Sequence, residues 1–144
     1  MVSRVIPAPD FDLVLFGATG DLAQRKILPG LFHRFAVGQM PHEARIIGVA
    51  RSKMDAAGFR AQLEQNLSEF APKIAKDRAL LERFLASVDY LRVDVMGEDG
   101  WNELAHNLRA DVVRAFYLSV SPSLFGVIAA KLSSFGATTA ESRI

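Results

Sequence analysis

Apolar residues along this 144-residue chain fall into short continuous runs that alternate with stretches of helical spacing. Phe11–Phe16 (FDLVLF) reads as a buried strand, and it feeds a glycine-containing turn at Gly17 and Gly20. Leu28, Leu31, Phe32 and Phe35 then recur at i, i+3, i+4 and i+7, which predicts a helix. Pro29 lies inside that stripe and lacks an N–H, so a kink or a missing hydrogen bond is expected there. Gly38 to Pro41 ends the helix. Arg45–Ala50 (RIIGVA) is a second strand, followed by Phe59, Leu63, Leu67 and Phe70 at helical spacing. After Pro72, Leu80, Leu81, Phe84 and Leu85 form another amphipathic stripe.

Val88–Val95 alternates with period two and is a third strand, and Trp101, Leu104, Ala105 and Leu108 mark the next helix. Val112–Val120 is the fourth strand, with Phe116 and Tyr117 expected in the core. Ser121-Pro122 offers an N-cap and a proline at the first helical position. Phe125, Ile128, Ala129 and Leu132 supply that helix's buried face. Residues 133–142 read as a loop, and Arg143-Ile144 as the opening of a fifth strand. Strands that are nearly continuously apolar, each followed by a helix, mean a parallel sheet covered on both faces. The fold class is α/β, a Rossmann-like doubly wound parallel sheet that stops at the start of its fifth strand. Residues 1–10 form an irregular lead-in and residues 11–144 the domain.

Composition narrows the function without naming it. Half the residues are hydrophobic, and 17 Lys and Arg against 16 Asp and Glu leave a net charge of +1, with no basic surplus for nucleic acid. There is no cysteine, hence no disulfide framework and no thiolate chemistry. No apolar run approaches the roughly 18 residues of a membrane span, and the N-terminus lacks a signal-peptide core. A cytoplasmic protein is the default expectation.

The glycine turn carries the clearest chemistry. Gly17 permits the tight turn, and Gly20 lets backbone N–H groups approach a ligand with no Cβ in the way. The helix that follows directs unpaired N–H groups and the positive end of its dipole into the turn, which suits a pyrophosphate. Ligands of doubly wound sheets bind beyond the C-terminal strand ends. There the sequence places Gly17–Gln24, Arg51-Ser52, Asp94-Val95 and 120–122. Arg51 at the end of the second strand, where NAD-preferring domains carry a carboxylate, suits a 2′-phosphate and so NADP, with a solvated loop arginine as the alternative. Asp21 reads equally as a helix-dipole carboxylate or as a residue orienting the turn. Lys26, on spacing alone, is a solvated lysine. His33, His42 and His106 have no partner at metal-ligand or triad spacing, and Glu64, Glu69 and Asp77 read as a solvated face.

Phe16-Gly-Ala-Thr-Gly-Asp-Leu-Ala-Gln-Arg-Lys-Ile-Leu-Pro29, Ile47-Gly-Val-Ala-Arg-Ser52 and Phe116-Tyr-Leu-Ser-Val-Ser-Pro122 together resemble glucose-6-phosphate dehydrogenase, over essentially the whole chain from Asp10. The resemblance implies an NADP-dependent oxidoreductase of the pentose phosphate pathway that oxidises the C1 hydroxyl of glucose 6-phosphate to the lactone. It implies that Gly17, Ala18, Thr19, Gly20, Asp21, Leu22, Ala23 and Gln24 form the cofactor's phosphate turn and that Arg51 holds the 2′-phosphate. It further implies that Asp94 and Val95 lie by the adenosine half and that Lys26 lies near the reacting centre. Phe125 stands where some relatives have tyrosine, and Ser121 where many have the first of two prolines. The family's Glu-Lys-Pro segment and its histidine base fall beyond Ile144. The resemblance therefore implies the cofactor half of a homo-oligomeric enzyme, inactive alone, with the sugar-phosphate site elsewhere. A stand-alone NADP-binding or sensing module, or an inert remnant, shares every motif.

Overall fold

The structure is a computed structural model, and it describes residues 9–144. Most of the lead-in expected at 1–10 lies outside the described residues. Strands β1 (Phe11–Phe16), β2 (Arg45–Ala50), β3 (Val88–Arg92) and β4 (Val113–Leu118) form one parallel sheet in the order β3-β2-β1-β4. The order reverses at β1, so the switch point falls between β1 and β4, beside the glycine turn. Beyond β4, Arg143 makes a parallel bridge to Ala115, its N–H bonding Arg114 O at 2.9 Å and its carbonyl accepting from Phe116 N at 2.7 Å. A fifth strand position is thus marked by one rung.

Helices α1 (Leu28–Ala36), α2 (Ala56–Phe70), α3 (Pro72–Ala75) and α4 (Arg78–Ala86) belong to one face, and α5 (Trp101–Asn107) and α6 (Phe125–Ser134) cover the other. Alternation along β1 sorts the core. Leu15 packs with Phe32, Phe59, Leu63 and Phe84, whereas Val14 and Phe16 pack with Trp101, Leu104, Ile128 and Leu132. Asp55 and Asp77 begin α2 and α4 as N-caps, accepting from Gly58 N at 2.7 Å and Leu80 N at 3.1 Å. Asp77 is exposed and caps α4 as well, and Glu64 pairs with Arg78 at 2.7 Å.

Several expectations are corrected. Strands β3 and β4 end earlier than their apolar runs: β3 stops at Arg92 because Asp94 starts a turn, its Oδ1 accepting from Met96 N. At Pro29 the hydrogen bond expected to be missing falls within a continuous helical stretch. Helical backbone starts at Asp21, and Ala23–Ile27 is wound as one π-helical turn that ends two residues before Pro29. Widening that turn accommodates a residue that can neither donate nor pack against the carbonyl four positions back. Ser121 makes no side-chain cap; Pro122–Leu124 is a 3₁₀ turn ahead of α6, which runs on to Ser134. Tyr117 and Phe125, expected in the core, are 48% and 40% exposed. Tyr117 lies level with buried Leu15, but the helices of that face pack toward β2 and β3 and leave its side of the sheet open.

At the opposite end of the sheet from the glycine turn lies a polar rung that the apolar run concealed. Asp12 is fully buried and level with Arg45 on β2 and Arg114 on β4. Arg45 Nε and Nη2 donate to Oδ1 and Oδ2 of Asp12 at 2.9 and 3.0 Å, and Arg109 adds its backbone N–H at 2.7 Å and its Nε at 3.0 Å. Arg114, also buried, turns its donors to the carbonyls of Arg109, Ala137 and Leu108. Burial works to raise the carboxyl's pKa, but the hydrogen bonds from Arg45 and Arg109 outweigh it and hold Asp12 below its ordinary 3.8.

Candidate cofactor site

The turn after β1 is built around Gly17, whose φ of +80° is left-handed. Its N–H and that of Ala18 both bond Val49 O, at 2.9 and 3.2 Å, and Gly20 N closes the turn on Gly17 O at 2.9 Å. A Cβ on Gly17 would stand 2.2 Å from Ser119 O, so the end of β4 lies directly against the turn. Ser119 N in turn bonds Phe16 O at 2.9 Å, and its buried Oγ has no partner among the described residues.

Gln24 is buried, and both ends of its amide are used inside the protein. Nε2 donates to Ala18 O at 2.8 Å, and Oε1 accepts from Asn66 Nδ2 at 2.6 Å. This ties the glycine turn to α2. The Ala18 and Ala23 side chains are buried beneath the turn, so what these two residues can offer a ligand is backbone. Gly20 and Leu22 are exposed. Asp21 pairs with Arg25 at 2.7 Å on the exposed surface of the first turn. Lys26 is exposed and lies in the π-helical turn, a local geometry that recurs at functional sites.

Across the crevice, Thr19 Oγ1 and Ser52 Oγ are 3.1 Å apart, which joins the turn to the end of β2. Tyr90 from β3 fixes that strand end by donating its hydroxyl to Ala50 O at 3.1 Å and Ser52 O at 2.7 Å. Burial pushes its phenol pKa up, so the hydroxyl stays a donor across the physiological range. Arg51 is exposed at the same strand end and is in no ion pair among the described residues. Asp94 is half-buried, its backbone carbonyl accepting from Trp101 Nε1 at 3.0 Å, and half-buried Val95 packs on the α5–α6 side.

The structure thus gathers Gly17–Gln24, Arg51 and Ser52 at one end of the sheet, with Asp94 and Val95 following the neighbouring strand. It spends the Gln24 side chain internally and leaves Lys26 further along the helix. The three histidines are exposed, and among the described residues no group of three metal-ligating side chains occurs. Two surface hollows, about 670 Å³ at the N-terminal end of β4 and about 510 Å³ between Pro29 and Pro72, are lined by none of Gly17–Gln24, Lys26, Arg51, Ser52, Asp94 and Val95, though His33 borders the second. Among the described residues no helix is long and apolar enough to cross a membrane.

Sequence reasoning missed Tyr90, Asn66, Ser119 and Arg92 as parts of this end of the sheet. Their partners lie on other elements, and each by itself is an ordinary strand or helix residue.

These features fit a nicotinamide dinucleotide. Gly17 holds a left-handed turn against the end of β4, the helix start behind it suits an anion, and among the described residues the arginine at the second strand end is in no ion pair and the Ser119 hydroxyl has no partner. Parallel order and glycine turn together define a dinucleotide-binding α/β domain. Residues 14–144 match the family model described as glucose-6-phosphate dehydrogenase, NAD binding domain. The chain belongs to the glucose-6-phosphate dehydrogenase family, in its N-terminal domain. Glucose-6-phosphate 1-dehydrogenase of Gluconobacter oxydans is 39% identical over 93% of this chain and 28% of that protein. The Rhizobium meliloti protein of the same name is 38% identical over 100% of this chain and 30% of its own length. The crystal structure of glucose-6-phosphate 1-dehydrogenase from Mycobacterium avium superposes with a TM-score of 0.83 at 27% identity, covering 94% of this chain and 29% of that one. A glucose-6-phosphate dehydrogenase in complex with its substrate superposes with a TM-score of 0.80 at 29% identity, covering 98% and 30% of the two chains. The chain therefore spans less than a third of the length of these relatives.

Proposed function

We propose that this chain is the NADP-binding part of a cytoplasmic oxidoreductase that oxidises glucose 6-phosphate at C1 to 6-phosphogluconolactone. The observation that carries the choice of NADP over NAD is Arg51. It is exposed at the end of β2, unpaired among the described residues, and has no acidic neighbour in sequence that could take a ribose hydroxyl. In this reading residues 11–144 are one cofactor domain. The backbone of Gly17–Gln24 and the helix dipole behind it receive the pyrophosphate. Arg51 takes the 2′-phosphate, Asp94 and Val95 flank the adenosine half, and Lys26 sits near the reacting carbon. NADP, when bound, supplies the hydride acceptor. The base that removes the C1 hydroxyl proton and the sugar-phosphate site belong to the part of the relatives that this chain does not span. The chain by itself is then a binding unit without turnover, and the complete enzyme is a homo-oligomer.

The test is a titration of the chain with NADP⁺ and NAD⁺, for the wild type and Arg51→Ala. A charge-assisted contact of about 1.5–3 kcal/mol predicts a roughly ten- to hundred-and-fifty-fold loss of NADP⁺ affinity, with NAD⁺ nearly unchanged. Equal weakening of both would remove Arg51 from the site.

A further inference from the structure

We propose that Arg92, at the C-terminal end of β3, is a second cation for the ribose 2′-phosphate of NADP and sets cofactor specificity together with Arg51; this rests on the cofactor reading above. Strands β2 and β3 are neighbours, and Ala50 lies level with Arg92, which brings the two arginines to adjoining strand ends. Arg92 Nε donates to the backbone carbonyl of Arg51 at 3.0 Å. That bond uses one of five guanidinium N–H groups and leaves both Nη groups as donors. Like Arg51, Arg92 is exposed and in no ion pair among the described residues.

A clamp on a carbonyl needs no charge, since an amide or hydroxyl would serve. Two cations on adjoining strand ends can share one anion. A phosphate monoester carries roughly two negative charges near neutral pH and three acceptor oxygens, more than one arginine saturates. The Thr19 and Ser52 hydroxyls, 3.1 Å apart at the end of β2, complete a donor set of the right kind. A ribose 2′-hydroxyl would gain nothing from a second cation. Arg92 therefore acts on NADP and not on NAD.

The experiment is calorimetric titration of the full chain with NADP⁺, NAD⁺, 2′,5′-ADP and 5′-AMP, for the wild type, Arg92→Gln and Arg92→Met. Circular dichroism checks each fold, and the Met variant keeps the long apolar stem should Gln disturb the strand end. About a tenfold loss for NADP⁺ and 2′,5′-ADP is expected, with NAD⁺ and 5′-AMP within about twofold of wild type. Raising the salt concentration should weaken NADP⁺ binding less steeply in the variants than in wild type. Loss of all four ligands alike, or of none, overturns the role of Arg92 while leaving the cofactor reading intact. A wild-type chain that binds NAD⁺ as tightly as NADP⁺ overturns the cofactor reading and this inference with it.

Discussion

Asp12 and Arg45 face each other across β1 and β2 in a two-pronged ion pair, Nε to Oδ1 at 2.9 Å and Nη2 to Oδ2 at 3.0 Å. The pair sits at the end of the sheet away from the glycine turn, and its carboxylate is sealed from solvent while Arg45 and Arg109 stay partly wet. It ties the entry of β1 to β2 and, through Arg109, to the segment entering β4. Its business is alignment of the strands that deliver the turn, not chemistry.

Removing one member of such a group leaves the others desolvated and unmatched. Asp12→Asn should therefore cost about 3 kcal/mol of folding free energy, near the lower bound for breaking a buried pair because both arginines reach water. The sign of the pH effect follows from the depressed carboxyl pKa. The stabilisation is complete above the unfolded carboxylate value and is lost as pH falls through the still lower folded value. Urea midpoints between pH 7 and pH 3 should drop more steeply for wild type than for Asp12→Asn. Parallel curves would mean that the pair contributes no linkage.

Asp12 also shows where the sequence stops being legible. β1 and β2 coincide with their apolar runs to the residue, because a strand covered on both faces leaves a continuous hydrophobic signature. An aspartate inside FDLVLF reads as noise until its partners, 33 and 97 positions away, are brought beside it. The same limit hides Asn66 behind Gln24. Tyr117 and Phe125 fail differently. Periodicity assigns a side chain to a face, but whether that face is covered depends on segments elsewhere, and on Tyr117's face the described helices do not reach β4. The positions of the glycine turn and Arg51 are legible because they are set locally: a strand end, a glycine, a helix start.

Gln24 separates two accounts of the turn. If its amide serves only to hold Ala18 O and Asn66, Gln24→Leu strands a buried acceptor and a donor and should cost roughly 1–3 kcal/mol each. Affinity for NADP⁺ and NAD⁺ should then fall together, through loosening of the turn. Chemical denaturation alongside titration with both cofactors reads this out. Wild-type stability with selective loss of one cofactor would instead place the amide on the ligand.

Lys26 is exposed in the π-helical turn, and a merely solvated lysine there would leave kinetics untouched. In a full-length enzyme carrying this domain, Lys26→Ala should lower kcat well beyond its effect on NADP⁺ affinity. Steady-state kinetics and cofactor titration on the same preparation decide it. Unchanged kcat would take Lys26 away from the reacting centre.

The two glycines of the turn should fail in opposite ways when each is changed to alanine. At Gly17 the backbone is left-handed at φ +80°, a region that costs an L-residue about 1–2 kcal/mol. A new Cβ would also lie 2.2 Å from Ser119 O, the carbonyl of a residue whose N–H is held by Phe16 O. Neither side can yield without parting β1 from β4. Gly17→Ala should therefore lose several kcal/mol of stability, at the severe end of single substitutions, and bind nothing. At Gly20 the φ is not left-handed, and the nearest atom to a new Cβ is Gly17 O at 3.1 Å, a tight contact that a small shift relieves. The fold should stay within about 1 kcal/mol of wild type, in the range of ordinary substitutions. What Gly20→Ala removes is the bare backbone by which a pyrophosphate approaches the helix start, so NADP⁺ and NAD⁺ should weaken alike and strongly. Urea denaturation paired with titration distinguishes the two positions. A stable Gly17→Ala, or a Gly20→Ala that binds both cofactors as wild type does, would show that the turn is not the cradle of the phosphates.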